Sequence, residues 1–431
     1  MTACVVALGK IGLPLAVQIA SKNEHVIGAD INPAVVELVA NGKEPFPGEA
    51  ELAEKLSKVV NNGMLKATTN TTEAVSKSDY VIVVVPVIVD NQGNPDFAAI
   101  DAATKDIAKG LKDGCLVSYE TTLPIGTTRE RFLPALEFES GLKCGSDFFL
   151  CHSPERVFSG RIFADLRKYP KLVGGIDIES SRRAVEFYEK ILDFDHRNDL
   201  EKPNGVWDLG SSEAAEMAKL VETTYRNVNI ALANEFALHA QDLGLDMFPI
   251  IDAANSQPFS HIHQPGIAVG GHCIPVYPKF YMASDTTCEL PAISVEMNES
   301  MPSRVVDMLK AEISSLNGKR VAILGAAYRG GVKETAFSGV FPLSVEIEKL
   351  GGIPVVHDPM FSAKELNEFG FLPFELREHC DVAIVQADHS IYAKLTADDL
   401  PGVSHLFDGR NIVNKAKLAP ITVIRLGDGT R

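Results

Sequence analysis

The first thirty residues constrain the fold more than any other stretch of the chain. An apolar run, Ala3-Cys-Val-Val-Ala-Leu, meets Gly9-Lys-Ile-Gly12, and a helix-compatible segment, Leu13 to Ser21, follows. A second apolar run, His25-Val-Ile-Gly-Ala-Asp30, then ends on a carboxylate 18 residues after Gly12. Strand, glycine turn, helix, strand and acid in that order are the layout of a dinucleotide fold. The turn brings backbone close to a pyrophosphate, the helix N-terminus attracts it, and the acid takes the ribose hydroxyls. Gly9, Lys10, Ile11, Gly12 and Asp30 are the candidate cofactor contacts, and an acid at position 30 favours NAD over NADP. The fingerprint lacks its first glycine, replaced by Ala7, so an ordinary strand-helix turn is the competing reading.

The pattern continues as a doubly wound α/β sheet should. Asp79-Tyr-Val-Ile-Val-Val-Val-Pro86, Cys115-Leu-Val-Ser-Tyr-Glu120 and Phe148-Phe-Leu-Cys-His152 are apolar and β-rich, as strands covered on both faces must be. Ligands of open α/β sheets sit beyond the strand carboxyl ends. Two of those ends carry polar, proline-bounded turns: Glu120-Thr-Thr-Leu-Pro-Ile-Gly-Thr-Thr128 and Ser153-Pro-Glu-Arg156. Thr122 and Glu155 are site candidates on that rule, with helix capping as the alternative role.

At 431 residues the chain exceeds one ordinary core, and 45% hydrophobic with 23% charged residues describes a globular protein of two or three domains. The formal charge is 41 minus 57, or −16, and basic residues form no run, which argues against nucleic-acid and anionic-membrane partners. Seven cysteines are scattered without CxxC or paired Cys/His spacing, so neither a disulfide framework nor a metal site is indicated. The longest apolar run, Val81 to Val89, is interrupted by Pro86 and too short to span a bilayer. We expect a cytoplasmic protein.

After an expected linker holding Trp207, a helix opens near Ser211 and can run unbroken to Gly244, roughly 50 Å at ~1.5 Å per residue. It is apolar around most of its circumference and needs partners on several sides, which predicts a spine between domains and the centre of a homodimer interface. Lys219, Thr223 and Arg226 fall on one stripe, with Asn234 near its edge. The stripe is a solvated face, an internal salt bridge or the lining of a ligand site. Beyond it, Pro265-Gly-Ile-Ala-Val-Gly-Gly-His-Cys273-Ile-Pro-Val-Tyr-Pro278 holds one cysteine behind a glycine pair and ahead of a proline, a composition for a rigid loop. Cys273 is either a buried structural thiol or a nucleophile carried to a substrate. Ser294 to Leu316 reads as a further helix. The opening pattern then recurs without its glycine fingerprint: Arg320-Val-Ala-Ile-Leu-Gly325, Pro354-Val-Val-His-Asp358 and Asp381-Val-Ala-Ile-Val385 predict a second doubly wound domain.

Taken together and in this order, these motifs resemble the UDP-glucose and UDP-N-acetylhexosamine 6-dehydrogenases over nearly the whole chain. The resemblance implies an NAD-binding Rossmann domain (residues 1–200), a central helical dimerisation region with the cysteine loop (201–316), and a UDP-sugar-binding Rossmann-like domain (317–431). It implies a four-electron oxidation that serves precursors of cell-surface polysaccharides. Hydride leaves C6 of the sugar for NAD, Cys273 adds to the aldehyde, a second hydride leaves the thiohemiacetal, and water hydrolyses the thioester to a uronate. Lys219 matches the family lysine that stabilises the oxyanion, Glu155 the acid/base glutamate, and Thr122 a threonine that positions water. Pro86 and Thr122 match cofactor contacts. Glu155, Arg156, Lys219, Thr223, Arg226, Phe259, His261, Gly266, Gly270, Gly271, Tyr328 and Arg329 match positions that line the sugar nucleotide.

The chain departs from the family pattern in ways that bear on chemistry. Tyr277 replaces the acid usually found four residues after the nucleophile, and a phenol with a pKa of ~10 is a poor base near neutrality, so thioester hydrolysis is the step in question. Thr223 replaces an asparagine. Two hypotheses follow: an active, divergent dehydrogenase, or a nucleotide-sugar-binding homologue with impaired catalysis. Within that family, the Gly-Gly-His272-Cys273 sequence and the run Arg226-Asn-Val-Asn-Ile-Ala-Leu-Ala-Asn-Glu235 resemble the N-acetylhexosamine branch more than the glucose branch, which implies UDP-N-acetylmannosamine or UDP-N-acetylglucosamine over UDP-glucose. Neighbours in an extended loop point apart, which favours a structural role for His272.

Overall fold

A computed structural model describes residues 1–90, 93–285 and 287–430. The chain divides into two compact units, Met1–Glu222 with Lys279–Ser284, and Thr223–Pro278 with Asp285–Arg431.

In chain order the strands of the first unit are β1 (Thr2–Val6), β2 (His25–Ala29), β3 (Leu65–Thr68), β4 (Tyr80–Val83), the two-residue pair β5 (Ile88–Val89) and β6 (Pro95–Asp96), β7 (Leu116–Tyr119), β8 (Phe149–His152), β9 (Lys171–Gly175) and β10 (Val206–Asp208). Eight of them form one sheet in the order β10-β9-β8-β7-β4-β1-β2-β3. β1 lies between β2 and β4, the point where strand order reverses and a ligand crevice opens. The sheet is parallel from β3 to β8, as the apolar runs predict. It then changes direction: β9 is antiparallel to β8, pairing Cys151 with Gly175 and His152 with Gly174. The stretch around Trp207, expected as a linker, is instead the edge strand β10, parallel to β9. Three residues are too few to show a period, which is why the sequence hid it.

The Gly12–Ser21 helix buries Leu13, Leu15, Ala16, Val17, Ile19 and Ala20, because the sheet and neighbouring helices cover it on several sides. Ala7 adopts φ 77°, the left-handed conformation that the absent glycine of the fingerprint would take without strain. An alanine there costs roughly 1–2 kcal/mol. A Cβ at Gly12 would lie 1.9 Å from the Ala7 carbonyl oxygen, so the turn closes only with glycine at position 12.

The second unit carries β11 (Arg320–Leu324), β12 (Ile353–His357), β13 (Leu372–Pro373), β14 (Val382–Val385), β15 (His405–Asp408) and β16 (Thr422–Arg425). They form a wholly parallel sheet in the order β13-β12-β11-β14-β15-β16, the doubly wound order in which the recurrent sequence pattern predicts them. The device joining β1 to β2 recurs as well. Asp30 accepts the Leu8 N–H at 2.7 Å, and Asp358 accepts the Ala326 and Ala327 N–H groups at 2.8 and 2.9 Å.

The long helix spans Ser212–Asp242 and gives residues to both units. The helix expected at 294–316 runs instead from Glu289 to Ile313. It starts earlier because Pro291 falls in the first turn, where a missing N–H breaks no helical hydrogen bond. It ends earlier because Ser314 turns to φ 67°. No helix among the described residues is long and apolar enough to cross a membrane.

We expect Gly12→Ala to weaken NAD binding at least tenfold and to lower the melting temperature. Calorimetric titration with NAD checks this, and an unchanged Kd would show that the turn can relax around a Cβ.

Candidate active site

In the first unit the carboxyl ends of adjacent strands hold the candidate residues. At β1, an added Cβ on Gly9 would meet nothing within 4 Å, so this turn faces open space. The following helix has no side-chain cap at Ile11 and no acid in its first turn. Asp30 is oriented by the Leu8 N–H and by the Asn32 N–H at 2.9 Å, each on a different oxygen. Each carboxylate oxygen keeps a second lone pair for a ribose hydroxyl. An uncapped N-terminus, an open turn and a preset carboxylate suit NAD's pyrophosphate and ribose. Lys10 is exposed, and Pro86 lies exposed just after β4, where the Val85 carbonyl accepts the Thr121 hydroxyl at 2.6 Å.

β7 and β8 run side by side, so Glu120–Thr122 and Ser153–Arg156 emerge together, and the Glu155 N–H donates to the Glu120 carbonyl at 3.2 Å. Thr122 is buried. β9 runs antiparallel to β8, so its first residue, Lys171, lies toward the turn that follows β8. The Lys171 ammonium donates to Glu120 Oε2 at 2.6 Å and to Glu155 Oε2 at 3.0 Å. The other Glu120 oxygen accepts the Tyr188 hydroxyl at 2.6 Å, which also bonds Ser118 at 2.7 Å. The other Glu155 oxygen accepts the Arg156 N–H at 2.7 Å. Burial, with the Glu155 charge adding to it, pushes Glu120 up to about 7 despite Lys171. Burial would also raise Glu155, but the Lys171 ammonium and the Arg156 N–H hold it below the usual carboxylate range.

The long helix is fastened to these turns. Glu216 accepts the Gly126 N–H at 2.6 Å, the Thr128 N–H at 2.8 Å and the Thr128 hydroxyl at 2.6 Å. Arg156 donates to Glu222 at 2.9 Å. Lys219, one turn beyond Glu216, is 4% exposed. Thr223 is fully buried and Arg226 partly so, which removes the solvated-face reading of the stripe. Asn234, at its edge, is structural: it accepts the Gly266 N–H at 2.9 Å and donates to Asn298 at 3.0 Å.

In the second unit the cysteine segment is a loop, as its composition predicts, held at several points. Asn229 clamps it at its start, donating to the His261 carbonyl and accepting the His263 N–H. Gly271, at φ +90°, donates to the Ala336 carbonyl at 2.8 Å, and the Cys273 carbonyl accepts the Val276 and Tyr277 N–H groups at 3.2 and 2.9 Å. His272 turns to Glu334, with 2.5 Å between Nε2 and Oε1, in keeping with a structural role. The close approach allowed by the glycine pair is to Tyr328: a Cβ on Gly270 would lie 2.5 Å from Tyr328 Cβ. Arg410 donates to the Tyr328 carbonyl at 3.2 Å, and Arg329 to the Tyr328 hydroxyl at 3.3 Å. Phe259, by contrast, is 88% exposed, and His261 is exposed.

Burial holds five of the seven thiols, Cys4, Cys115, Cys144, Cys151 and Cys380, well above the ordinary range. Cys288 donates to the Asp285 carbonyl at 3.0 Å beside the N-terminus of a helix. Cys273 is half-buried on its tethered loop. Tyr277 opens the Tyr277–Ser284 helix directly behind it.

Sequence reading missed Lys171, Tyr188 and Glu216, and passed over Glu120 inside a motif it had quoted. The available signal was a lysine heading the apolar Leu172-Val-Gly-Gly175 run, where charge is out of place unless paired.

Two Rossmann-type sheets, one with a turn suited to a dinucleotide, define an NAD-dependent oxidoreductase architecture. Residues 1–192 match the NAD binding domain of the UDP-glucose/GDP-mannose dehydrogenase family, and residues 213–301 its central domain. A UDP-N-acetyl-D-mannosamine dehydrogenase of Pyrococcus horikoshii is 32% identical over 100% of this chain and 99% of its own. One from Methanocaldococcus jannaschii is 32% identical over 99% and 96%. The solved structure of the P. horikoshii UDP-D-ManNAc dehydrogenase superposes with a TM-score of 0.88 at 29% identity, covering all of both chains. The chain belongs to the UDP-glucose/GDP-mannose dehydrogenase family, and its cofactor is NAD.

Burial, against three hydrogen bonds, pushes the Glu216 carboxyl up to about 7. A raised carboxyl stabilises the fold below its unfolded pKa, and that contribution is lost as pH rises through 7. Glu216→Gln does not titrate, so between pH 5 and 8 the stability difference should move in the variant's favour by on the order of 3 kcal/mol. Urea unfolding at both pH values checks this, and a pH-independent difference would contradict it.

Proposed function

We propose that the protein oxidises the C6 hydroxyl of UDP-N-acetylmannosamine to the uronate, with Cys273 as covalent nucleophile. The substrate follows the full-length relatives, which carry that name. The observation that carries the covalent reading is the half-buried thiol of Cys273, on a loop anchored at Gly266, Gly271 and His272, in a chain whose other thiols are buried or lie off any such loop.

When bound, NAD supplies the hydride acceptor for both oxidations. Gly9, Lys10, Ile11 and Gly12 hold its pyrophosphate, Asp30 its ribose, and Pro86 and Thr122 line its path. Cys273 adds to the C6 aldehyde through sulfur, and its carbon keeps a hydrogen for the second oxidation. Lys219, a buried cation, stabilises the oxyanion at C6 in a water-poor setting, where such a charge lowers a barrier by several kcal/mol. Glu155 takes the proton of the hydrolytic water, which Thr122 positions. Arg156, Thr223, Arg226, Gly266, Gly270, Gly271, Tyr328 and Arg329 hold the nucleotide sugar, and Phe259 and His261 close over it.

The protein acts in the cytoplasm as a homodimer built on the long helix. Tyr225, Leu232 and Phe236 support this: they are 51%, 43% and 38% exposed and fall within a narrow stripe of one helix, more apolar surface than a solvated face retains. Leu232→Glu with Phe236→Glu is expected to convert a dimer to a monomer in sedimentation. A wild-type monomer at micromolar concentration would refute the assembly.

The assay for the activity is NAD reduction with UDP-N-acetylmannosamine, UDP-N-acetylglucosamine and UDP-glucose. We expect two NADH per sugar and preference for an acetamido sugar. Cys273→Ala should lower uronate formation by at least a thousandfold. No NADH with any sugar would favour the binding-only reading that Tyr277 motivates, and full uronate yield from Cys273→Ala would exclude the covalent route.

A further inference from the structure

The buried ion cluster around Lys171 contains one carboxylate more than its single cation neutralises. The side chains of Lys171, Glu120 and Glu155 are 5%, 0% and 12% exposed, so Glu155 is the member nearest solvent. Every oxygen of both carboxylates has a donor: Lys171 for one oxygen of each, Tyr188 for the second of Glu120, and the Arg156 N–H for the second of Glu155. The Lys171 ammonium also lies 4.9 Å from the centroid of the Tyr188 ring. Around the cluster, His152 is buried and neutral, Ser118 and Cys151 lie on the neighbouring strands, and Arg156 is neutralised by Glu222. Lys171 is the cation that both carboxylates share.

We infer that Lys171 and Glu120 are positioning residues that keep Glu155 ionised and aimed as the general base of thioester hydrolysis. The inference rests on the proposed role of Glu155. A buried triad with one cation is most stable with a single proton shared between its carboxylates. The fully enclosed Glu120 is the better place for that proton, since its charge is the harder one to solvate. Glu155 then remains the carboxylate that a base must be, in a chain with a tyrosine, Tyr277, where the family pattern has an acid. In the step itself, a water O–H bond breaks and its proton passes to Glu155. The hydroxide oxygen bonds the thioester carbon, the C–S bond breaks with its electron pair returning to Cys273 sulfur, and the new carboxylic acid loses its proton to solvent. No oxidant or further reactant enters. The antiparallel run of β9 against β8 is what brings Lys171, at the start of β9, to the turn that follows β8, where it bonds Glu155.

The test is the pH dependence of kcat for uronate formation by the full-length enzyme with UDP-N-acetylmannosamine and NAD, from pH 5.5 to 9. Lys171→Met should bring an acidic limb into range, with kcat falling at least tenfold more than in the wild type between pH 8 and 6, while Lys171→Arg keeps the wild-type profile. In the wild type, loss of the Glu120 proton near pH 7 places a second charge beside Glu155 and steps kcat there; Glu120→Gln, which imitates the protonated cluster and serves if Lys171→Met does not fold, should abolish that step. Profiles of Lys171→Met or Glu120→Gln that run parallel to the wild type at reduced height would overturn the inference, because a merely structural role lowers activity without moving the limb. Glu155→Gln separates the two layers. If it forms uronate at the wild-type rate, the Glu155 assignment fails and takes this one with it. If it is a hundredfold slower while Lys171→Met keeps a parallel profile, only the positioning role fails.

Discussion

A lysine taken out of water must find its charge compensated, and the first unit's ligand-facing edge is arranged around that requirement. Lys171 is buried between Glu120 and Glu155. An unpaired ammonium in this position would cost several kcal/mol, so the strand ends that carry the two glutamates are held together by one shared charge. β9 has to run against β8 for the lysine to arrive. The break in an otherwise parallel sheet therefore has a chemical consequence: it brings a cation to the Glu120-Thr-Thr122 and Ser153-Pro-Glu-Arg156 turns that β7 and β8 already set side by side.

Glu216 does comparable work from the long helix. Its carboxylate collects three donors from the Gly126–Thr128 turn, and Lys219 stands one helical turn further on the same element. Turns and lysine are thus referenced to one rigid rod rather than to flexible loops. The second unit uses backbone for the same purpose: Gly271 and Gly266 donate to fixed acceptors, and His272 binds Glu334, so the Cys273 loop is tethered immediately ahead of the thiol.

The two sheets share one solution to the problem of ending a strand at a ligand. In each, the acid after the second strand accepts N–H groups from the turn after the first, Asp30 from Leu8 and Asp358 from Ala326 and Ala327. In the first unit the rest of that turn is open and glycine-lined. In the second, Asp358 is also bound by His389 at 3.1 Å, and Gln386 donates to the Gly325 and Ala327 carbonyls. The same scaffold is therefore open in one copy and filled by its own side chains in the other.

Much of this was legible in the chain because it is local. Periodicity and glycine placement foretold both sheets, the helix after Gly12, the long helix and the looped cysteine, since each depends on residues within a few positions of one another. Ala7 illustrates the limit of a motif: it breaks the fingerprint by identity yet keeps it by conformation, at φ 77°. Three-residue β10 left no period to read. The Lys171 cluster was illegible for a different reason. Residues 120 and 155 meet through the parallel β7–β8 pair, but Lys171 reaches them only because β9 reverses, and no spacing announces a reversal. Sequence by itself determined the two doubly wound cores, the candidate nucleophile and the family to which the chain belongs. Only the tertiary structure decided which buried charges meet, because that depends on distances in the folded interior and not on order along the chain.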